Sequence, residues 1–354
     1  MKKLINRVED VVSEQVEGLV LAHPELKLNT DPYFIYHDKN QGKVSLVSGG
    51  GSGHEPLHAG FIGEGMLTAA CPGAVFTSPT PDQMIECGKA IPNEEGVLYF
   101  IKNYTGDVLN FEMAVEMLHM EGIKVGSVLI DDDVAVKDSA YTAGRRGVAA
   151  TVLIEKIVGA AAQAGKDIDY CEQLAAKLNN RSRSFGVALS ACVVPANGKP
   201  SFTLEDNEME FGVGIHGEAG IERREYKDVD TTTSQMLEEL MGSQPYTRTI
   251  RTWDREAGDW VENEVTTEEF NTGDDLIVLV NGLGGTPESE LYGAYRKVHK
   301  EITEAGFNIA ASLVGDYCTS LNMEGFSITL LKADKETLDL WNAPVNTPAL
   351  RWGC

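Results

Sequence analysis

One imidazole, His216, stands in the run Phe211-Gly-Val-Gly-Ile-His-Gly-Glu-Ala-Gly-Ile-Glu-Arg-Arg224, with glycines at 212, 214, 217 and 220. Backbone stripped of bulk can take positive φ angles and lets another molecule approach the main chain closely. A histidine held this way is open to four roles: metal ligand, general base, hydrogen-bond donor, or nucleophile toward an electrophilic carbon. A glycine-rich turn whose His caps a neighbour is the plain alternative. A second imidazole, His54, ends Gly49-Gly-Gly-Ser-Gly-His-Glu-Pro56, after the β-rich run Lys43 to Ser48. That turn is not a P-loop, which needs Lys and a hydroxyl where the chain has His54, Glu55 and Pro56. Nor is it GxGxxG, whose third glycine would fall on His54. The remaining reading is a nest of successive N–H groups able to hold a hydroxyl or phosphate oxygen, with His54 at its end. A carboxylate, Asp107, closes Asn103-Tyr-Thr-Gly-Asp107 after the buried strand Gly96 to Lys102. It can N-cap the helix Val108 to Glu121 or, at the C-terminal end of a strand in an α/β sheet, act as a base.

The elements that must position these groups alternate between strand and helix. Beyond the stretches above, strands are expected at Lys124 to Ile130, from Phe185, at Thr247 to Trp253, from Asp275, at Asn308 to Leu313 and at Ser327 to Lys332. Helices are expected from Gln83 to Lys89, from about Tyr141 to Gly165, on to Asn180, from Thr233 to Met241 and from Glu288. The segment Asp254 to Glu269 reads as acidic and exposed. Such alternation implies an α/β fold, and 354 residues exceed what one core supports comfortably. The expectation is two α/β domains, each a sheet flanked by helices. The polar stretch Asn179 to Ser184 divides them into 1–183, carrying the glycine-rich loop and Asp107, and 184–354, carrying His216.

A net charge of −24 repels phosphate backbones and anionic membranes, which excludes nucleic-acid and membrane-surface binding without a local basic patch, and there is none. The N-terminus lacks a signal peptide's apolar core: Leu4, Val8, Val12, Val16 and Leu19 recur at helical spacing among acidic residues, an amphipathic helix. No apolar run is long enough to span a bilayer. The six cysteines form no CxxC pair, which fits reduced thiols in a cytoplasm and no structural zinc. Asp131-Asp-Asp133 could hold a divalent cation, although a solvated strand end that caps the next helix is the safer reading. Arg145 and Arg146, at a helix start where the dipole favours anions, suggest a bound phosphate or an acidic partner, unless solvent exposure alone accommodates them.

Taken together, SGGGSGHEP (48–56), CPGAVFTSPTPDQ (71–83), IKNYTGDVLNFE (101–112), DDDVAVKDSAYTAGRRGVA (131–149), PSFTLEDNEMEFGVGIHGEAGIERR (200–224) and GFSITLLK (325–332) resemble the dihydroxyacetone kinase family. Within it, the resemblance is to the substrate-binding K subunits of the phosphoenolpyruvate-dependent kind. It implies that His216 adds to the ketone of dihydroxyacetone as a hemiaminal, that His54 orients the substrate, and that Asp107 accepts the terminal hydroxyl's proton. Gly51, Ser52, Gly53, Ser78 and Lys102 fall where the family lines its pocket. The resemblance further implies a cytoplasmic homodimer with no metal or cofactor of its own. ADP and Mg sit on a partner L subunit, recharged by a phosphotransferase M subunit. Regulatory relatives bind the same ligand without turnover, so a dihydroxyacetone sensor acting on transcription is the alternative.

Overall fold

A computed structural model of the chain describes residues 2–39, 43–136, 144–243 and 245–354. The first half contains α1 (Val11–Ala22), β1 (Lys27–Thr30), β2 (Tyr33–Tyr36), β3 (Ser45–Ser52), β4 (Ala69–Val75), α2 (Pro81–Ala90), β5 (Val97–Lys102), α3 (Thr105–Met120), β6 (Val125–Ile130), α4 (Ala150–Gln163) and α5 (Ile168–Asn180). Then come β7 (Ser182–Ala188), β8 (Glu208–Phe211), β9 (Glu222–Glu225), α6 (Val229–Gly242), β10 (Thr247–Asp254), β11 (Asp259–Thr266), β12 (Asp275–Gly282), α7 (Glu288–Glu304), β13 (Asn308–Gly315) and β14 (Gly325–Ala333). The chain closes with α8 (Lys335–Asn342), β15 (Val345–Asn346) and β16 (Arg351–Trp352).

Two six-stranded sheets, with helices packed against them, make the α/β architecture. The first runs β1-β2-β4-β3-β5-β6, with β4, β3, β5 and β6 parallel and the hairpin β1–β2 added antiparallel. Every residue of β5 is buried, as a strand covered on both faces requires. The second runs β13-β12-β14-β7-β8-β9, antiparallel except for β12–β13. Helix α4 touches β5 of the first sheet and β7 and β14 of the second, and it is buried from Ala150 through Ala162. A helix buried on all sides, apolar but for a few residues such as Glu155 and Lys156, is what packing between two sheets demands. Residues 335–354 return to the first half, where the Asn346 and Ala349 N–H groups donate to the carbonyls of Glu64 and Gly60 at 2.9 Å each.

Several local expectations are corrected. The glycines 49 to 51 do not form a turn: they continue β3 and pair with Cys71, Pro72 and Gly73 of β4. The hairpin β1–β2 was not expected; the acidic segment after Asp254 is mostly exposed, as expected, but forms β11, paired along its length with β10. Leu4 lies exposed ahead of α1, which begins only at Val11 and buries Val16 alone. The long helix starts at Ala150 rather than near Tyr141; Tyr141 to Ala143, and 137 to 140 of the fourth motif, lie outside the described residues.

Asp131, Asp132 and Asp133 are buried rather than solvated. Arg248 Nε and Nη2 grip the two oxygens of Asp131 at 2.7 and 2.8 Å. Asp132 does cap the next helix, accepting from the N–H groups of Val148 at 2.8 Å and Ala150 at 3.0 Å. Asp133 pairs with Arg146. Arg145 and Arg146 are likewise only 4% and 2% exposed, so neither presents its charge to a docking protein. Among the described residues no group of His, Cys, Asp and Glu is arranged to hold a metal ion, and no helix is long and apolar enough to cross a membrane.

Candidate active site

The chain just beyond β3 and the loop after β8 bring His54 and His216 together. His54 Nδ1 lies 2.9 Å from the carbonyl oxygen of Thr319, which follows β13, and its Nε2 lies 3.2 Å from His216 Nε2. A carbonyl only accepts, so His54 carries its hydrogen on Nδ1 and leaves Nε2 bare. His216 must then donate from its own Nε2, and among the described residues its Nδ1 has no partner. His54 stacks on Phe76 with ring centroids 5.1 Å apart, while His54, Phe76 and Tyr104 all meet the His216 ring edge to face. Burial, then the Lys102 and Arg146 charges, push His216 down to about 3; burial also holds His54 well below the ordinary imidazole range. Both rings are therefore neutral at pH 7, the form in which an imidazole nitrogen is nucleophilic.

The loop bearing His216 is held by charge. Arg146 donates to Asp133 at 2.8 Å, to the Gly212 carbonyl at 2.8 Å and to Glu218 Oε1 at 3.1 Å. Glu218 Oε2 in turn accepts the backbone N–H of His216 at 2.9 Å. At Gly217, φ is +75° and a Cβ would lie 2.5 Å from Cys192 Sγ, so glycine is required there.

Asp107 arrives from the first turn of α3, two residues inside the helix. Its side chain does not cap, contrary to one expectation: the N-cap is Tyr104 and no side chain closes that end. The carboxylate, 2% exposed, instead takes a hydrogen bond from Ser78 Oγ and lies 4.0 Å from Lys102 Nζ. Burial raises its pKa, with Lys102 and then Ser78 opposing. An open cavity of about 1200 Å³ is lined by Gly51, Ser78, Tyr104, Asp107, Arg146 and His216, among others. A nucleophilic ring and a carboxylate of raised basicity thus face one space.

The remaining expected residues stand behind that wall. His54 and Lys102 are 0% and 1% exposed. Ser52 Oγ donates to the Gly73 carbonyl at 2.8 Å, and the Gly53 N–H donates to the Glu55 carboxylate at 3.0 Å. The expected nest is therefore partly satisfied from within. Sequence reasoning missed Phe76, Tyr104, Thr319 and Glu218 as neighbours of the imidazoles. Phe76, Tyr104 and Glu218 lie inside the motifs singled out above, but nothing local marks Thr319.

Residues 17–349 match the Dak1 domain family. The chain is 59% identical over 355 residues, covering all of both chains, to the PEP-dependent dihydroxyacetone kinase, dihydroxyacetone-binding subunit DhaK, of Escherichia coli K12. Among solved structures it is similar to the dihydroxyacetone kinase operon co-activator Dha-DhaQ, with TM-score 0.83, 31% identity and coverage of 97% of this chain and 98% of that one. It is also similar to the dihydroxyacetone kinase of C. freundii, with TM-score 0.82 and 31% identity over 98% of this chain and 60% of that one.

Proposed function

The chain belongs to the Dak1 domain family, and from that premise we propose that it binds dihydroxyacetone covalently and presents it for phosphorylation. In this reading a ring nitrogen of His216 adds to the ketone carbon. The N–C bond forms as the carbonyl π bond breaks, the Nε2 proton passes to the bare Nε2 of His54, and His54 delivers it to the new alkoxide oxygen. Asp107 then accepts the proton of a terminal hydroxyl as that oxygen attacks phosphorus, and Ser78 holds the carboxylate in place. The phosphoryl donor is ADP-phosphate on a partner L subunit, where the nucleotide and Mg belong; a phosphotransferase M subunit recharges it. The product is dihydroxyacetone phosphate. The observation that carries this reading is the 3.2 Å contact between His54 and His216 beside a cavity that also holds Asp107. Glycerol, which has no electrophilic carbon, is refused.

The test is product formation by the purified chain, once with ATP alone and once with the ADP-loaded L subunit, phosphoenolpyruvate and the phosphotransferase proteins. Product only in the second reaction supports the reading, and product with ATP alone overturns the need for a partner. A second reading, a ligand sensor acting through a transcription regulator, draws on the similarity to a protein named an operon co-activator. Binding without product in either reaction would favour it. The buried Asp107–Ser78 pair, which binding alone does not require, favours the enzyme.

A further inference from the structure

Behind the cavity wall runs a line of buried polar groups that the proposed chemistry leaves unused. His58, just after the glycine strand, is 6% exposed, and Glu155, in the middle of α4, is fully buried. His58 Nδ1 lies 2.8 Å from Glu155 Oε1, and Lys102 Nζ lies 3.0 Å from His58 Nε2. An ammonium can only donate, so His58 Nε2 is the bare nitrogen and Nδ1 carries the hydrogen that Glu155 accepts. Burying three ionisable side chains costs more than apolar residues of equal volume would, so stability alone does not explain the chain.

Lys102 Nζ donates to the Gly49 carbonyl at 3.4 Å and has two ionisable side chains to choose between. Its ammonium is within hydrogen-bond reach of His58 at 3.0 Å but stands 4.0 Å from Asp107 Oδ2. Gly50 sits among them: a Cβ there would be 2.5 Å from Lys102 Nζ, 3.6 Å from Asp107 Oδ2 and 3.7 Å from His58 Nε2. We propose that His58, oriented by Glu155, is a positioning residue that holds the Lys102 ammonium off Asp107 and so leaves the carboxylate free to accept the substrate's proton. Without His58, the ammonium would close on Asp107 in a direct charge-assisted pair, and a carboxylate so paired is a weaker base. The other titratable groups that feel Lys102 are His54, His216 and Cys318, and burial disfavours the charged form of each. The inference rests on Asp107 being the base.

Two substitutions separate positioning from packing. The His58→Asn amide can still donate to Glu155 but falls short of Lys102, whereas the His58→Gln amide spans both. In the full chain, the Asp107 carboxyl is titrated by carbon-13 NMR, and turnover with the L subunit system is followed against pH. The Asn variant is expected to lower the Asp107 titration by about one pH unit. It should move the acid limb of kcat the same way and lower the plateau about tenfold, with dihydroxyacetone binding held within about threefold. The Gln variant is expected to behave as the parent does. Should the Asn variant not fold, His58→Leu takes its place with the same expected shift. Equal Asp107 titration in the parent and the disruptive variant would overturn the proposal, as would a Gln variant no better than the disruptive one. If the parent itself makes no product, the kinase reading fails, while the carboxyl titration still decides the role of His58.

Discussion

His54 and His216 face each other Nε2 to Nε2 at 3.2 Å, and the far nitrogen of His54 is committed to the carbonyl of Thr319 at 2.9 Å. The second contact determines the first. Because the Thr319 carbonyl can only accept, His54 turns a bare nitrogen toward His216, and in the proposed reaction that nitrogen takes the proton His216 sheds on bonding to carbon. Three distant segments, after β3, after β8 and after β13, are needed for that one hydrogen-bond direction.

Replacing His54 with Phe keeps a ring against Phe76 but removes the acceptor. Adduct formation with dihydroxyacetone, followed by the carbon-13 signal of the central carbon, should slow by about 10²-fold or more. Replacing His216 with Asn should abolish the tetrahedral signal; its persistence would require another nucleophile.

Asp107→Asn is isosteric and keeps an acceptor for Ser78, so folding and adduct formation should persist. Turnover should fall by about 10²- to 10⁴-fold, the range of general base catalysis. Burial raises the Asp107 pKa, so parent activity is lost as pH falls through a value above the ordinary carboxylate range of about 3.9. That acid limb should be missing from whatever activity the Asn variant retains.

Arg146→Met leaves Asp133 buried without its partner and Glu218 without the charge that fixes the His216 loop. Breaking a buried pair from one side costs about 3–5 kcal/mol, so the melting temperature should drop by several degrees. Dihydroxyacetone affinity, measured by calorimetry below the new midpoint, should weaken as well. An unchanged affinity would show that the loop does not depend on the arginine.

Burial pushes the Glu155 carboxyl up to about 8, with Lys102 opposing, and the Asp132 carboxyl up to about 6. A raised folded-state pKa means that the native state binds the proton more tightly. The associated stability is full below the ordinary carboxylate range and is lost as pH rises through the folded value. The buried imidazoles His54, His58 and His216, held below their ordinary range, act in the opposite sense until pH passes about 6.5, so in the parent the decline due to Glu155 should show between about pH 6.5 and pH 8. Glu155→Gln, which cannot ionise, should flatten that decline above pH 6, where Asp132 no longer contributes. An equally steep decline in the variant would assign it to other groups.

Elements with strong local patterning were legible. The apolar run of β5, the helix expected from Gln83 to Lys89 within α2, and the strand–helix alternation that implies α/β architecture all depend on neighbours in the chain. Errors arose where local cues point both ways. Gly49 to Gly51 read as a turn because glycine is permissive, yet β4 supplies partners that make them strand. For Asp107 the sequence left cap and base both open, and the cap fails because the carboxylate accepts from Ser78 Oγ instead.

What the sequence by itself determined is the family and the candidate reactive groups: His54, Asp107 and His216 sit in long motifs whose spelling needs no coordinates. Only the tertiary structure decided which nitrogen of each imidazole carries the hydrogen, that the arginines at 145 and 146 are buried, and that His58 and Glu155 stand behind Lys102. The physical reason is range. Propensity and capping act over a few residues, whereas proton placement depends on acceptors such as Thr319, 265 positions from His54, that approach only when the two sheets pack together.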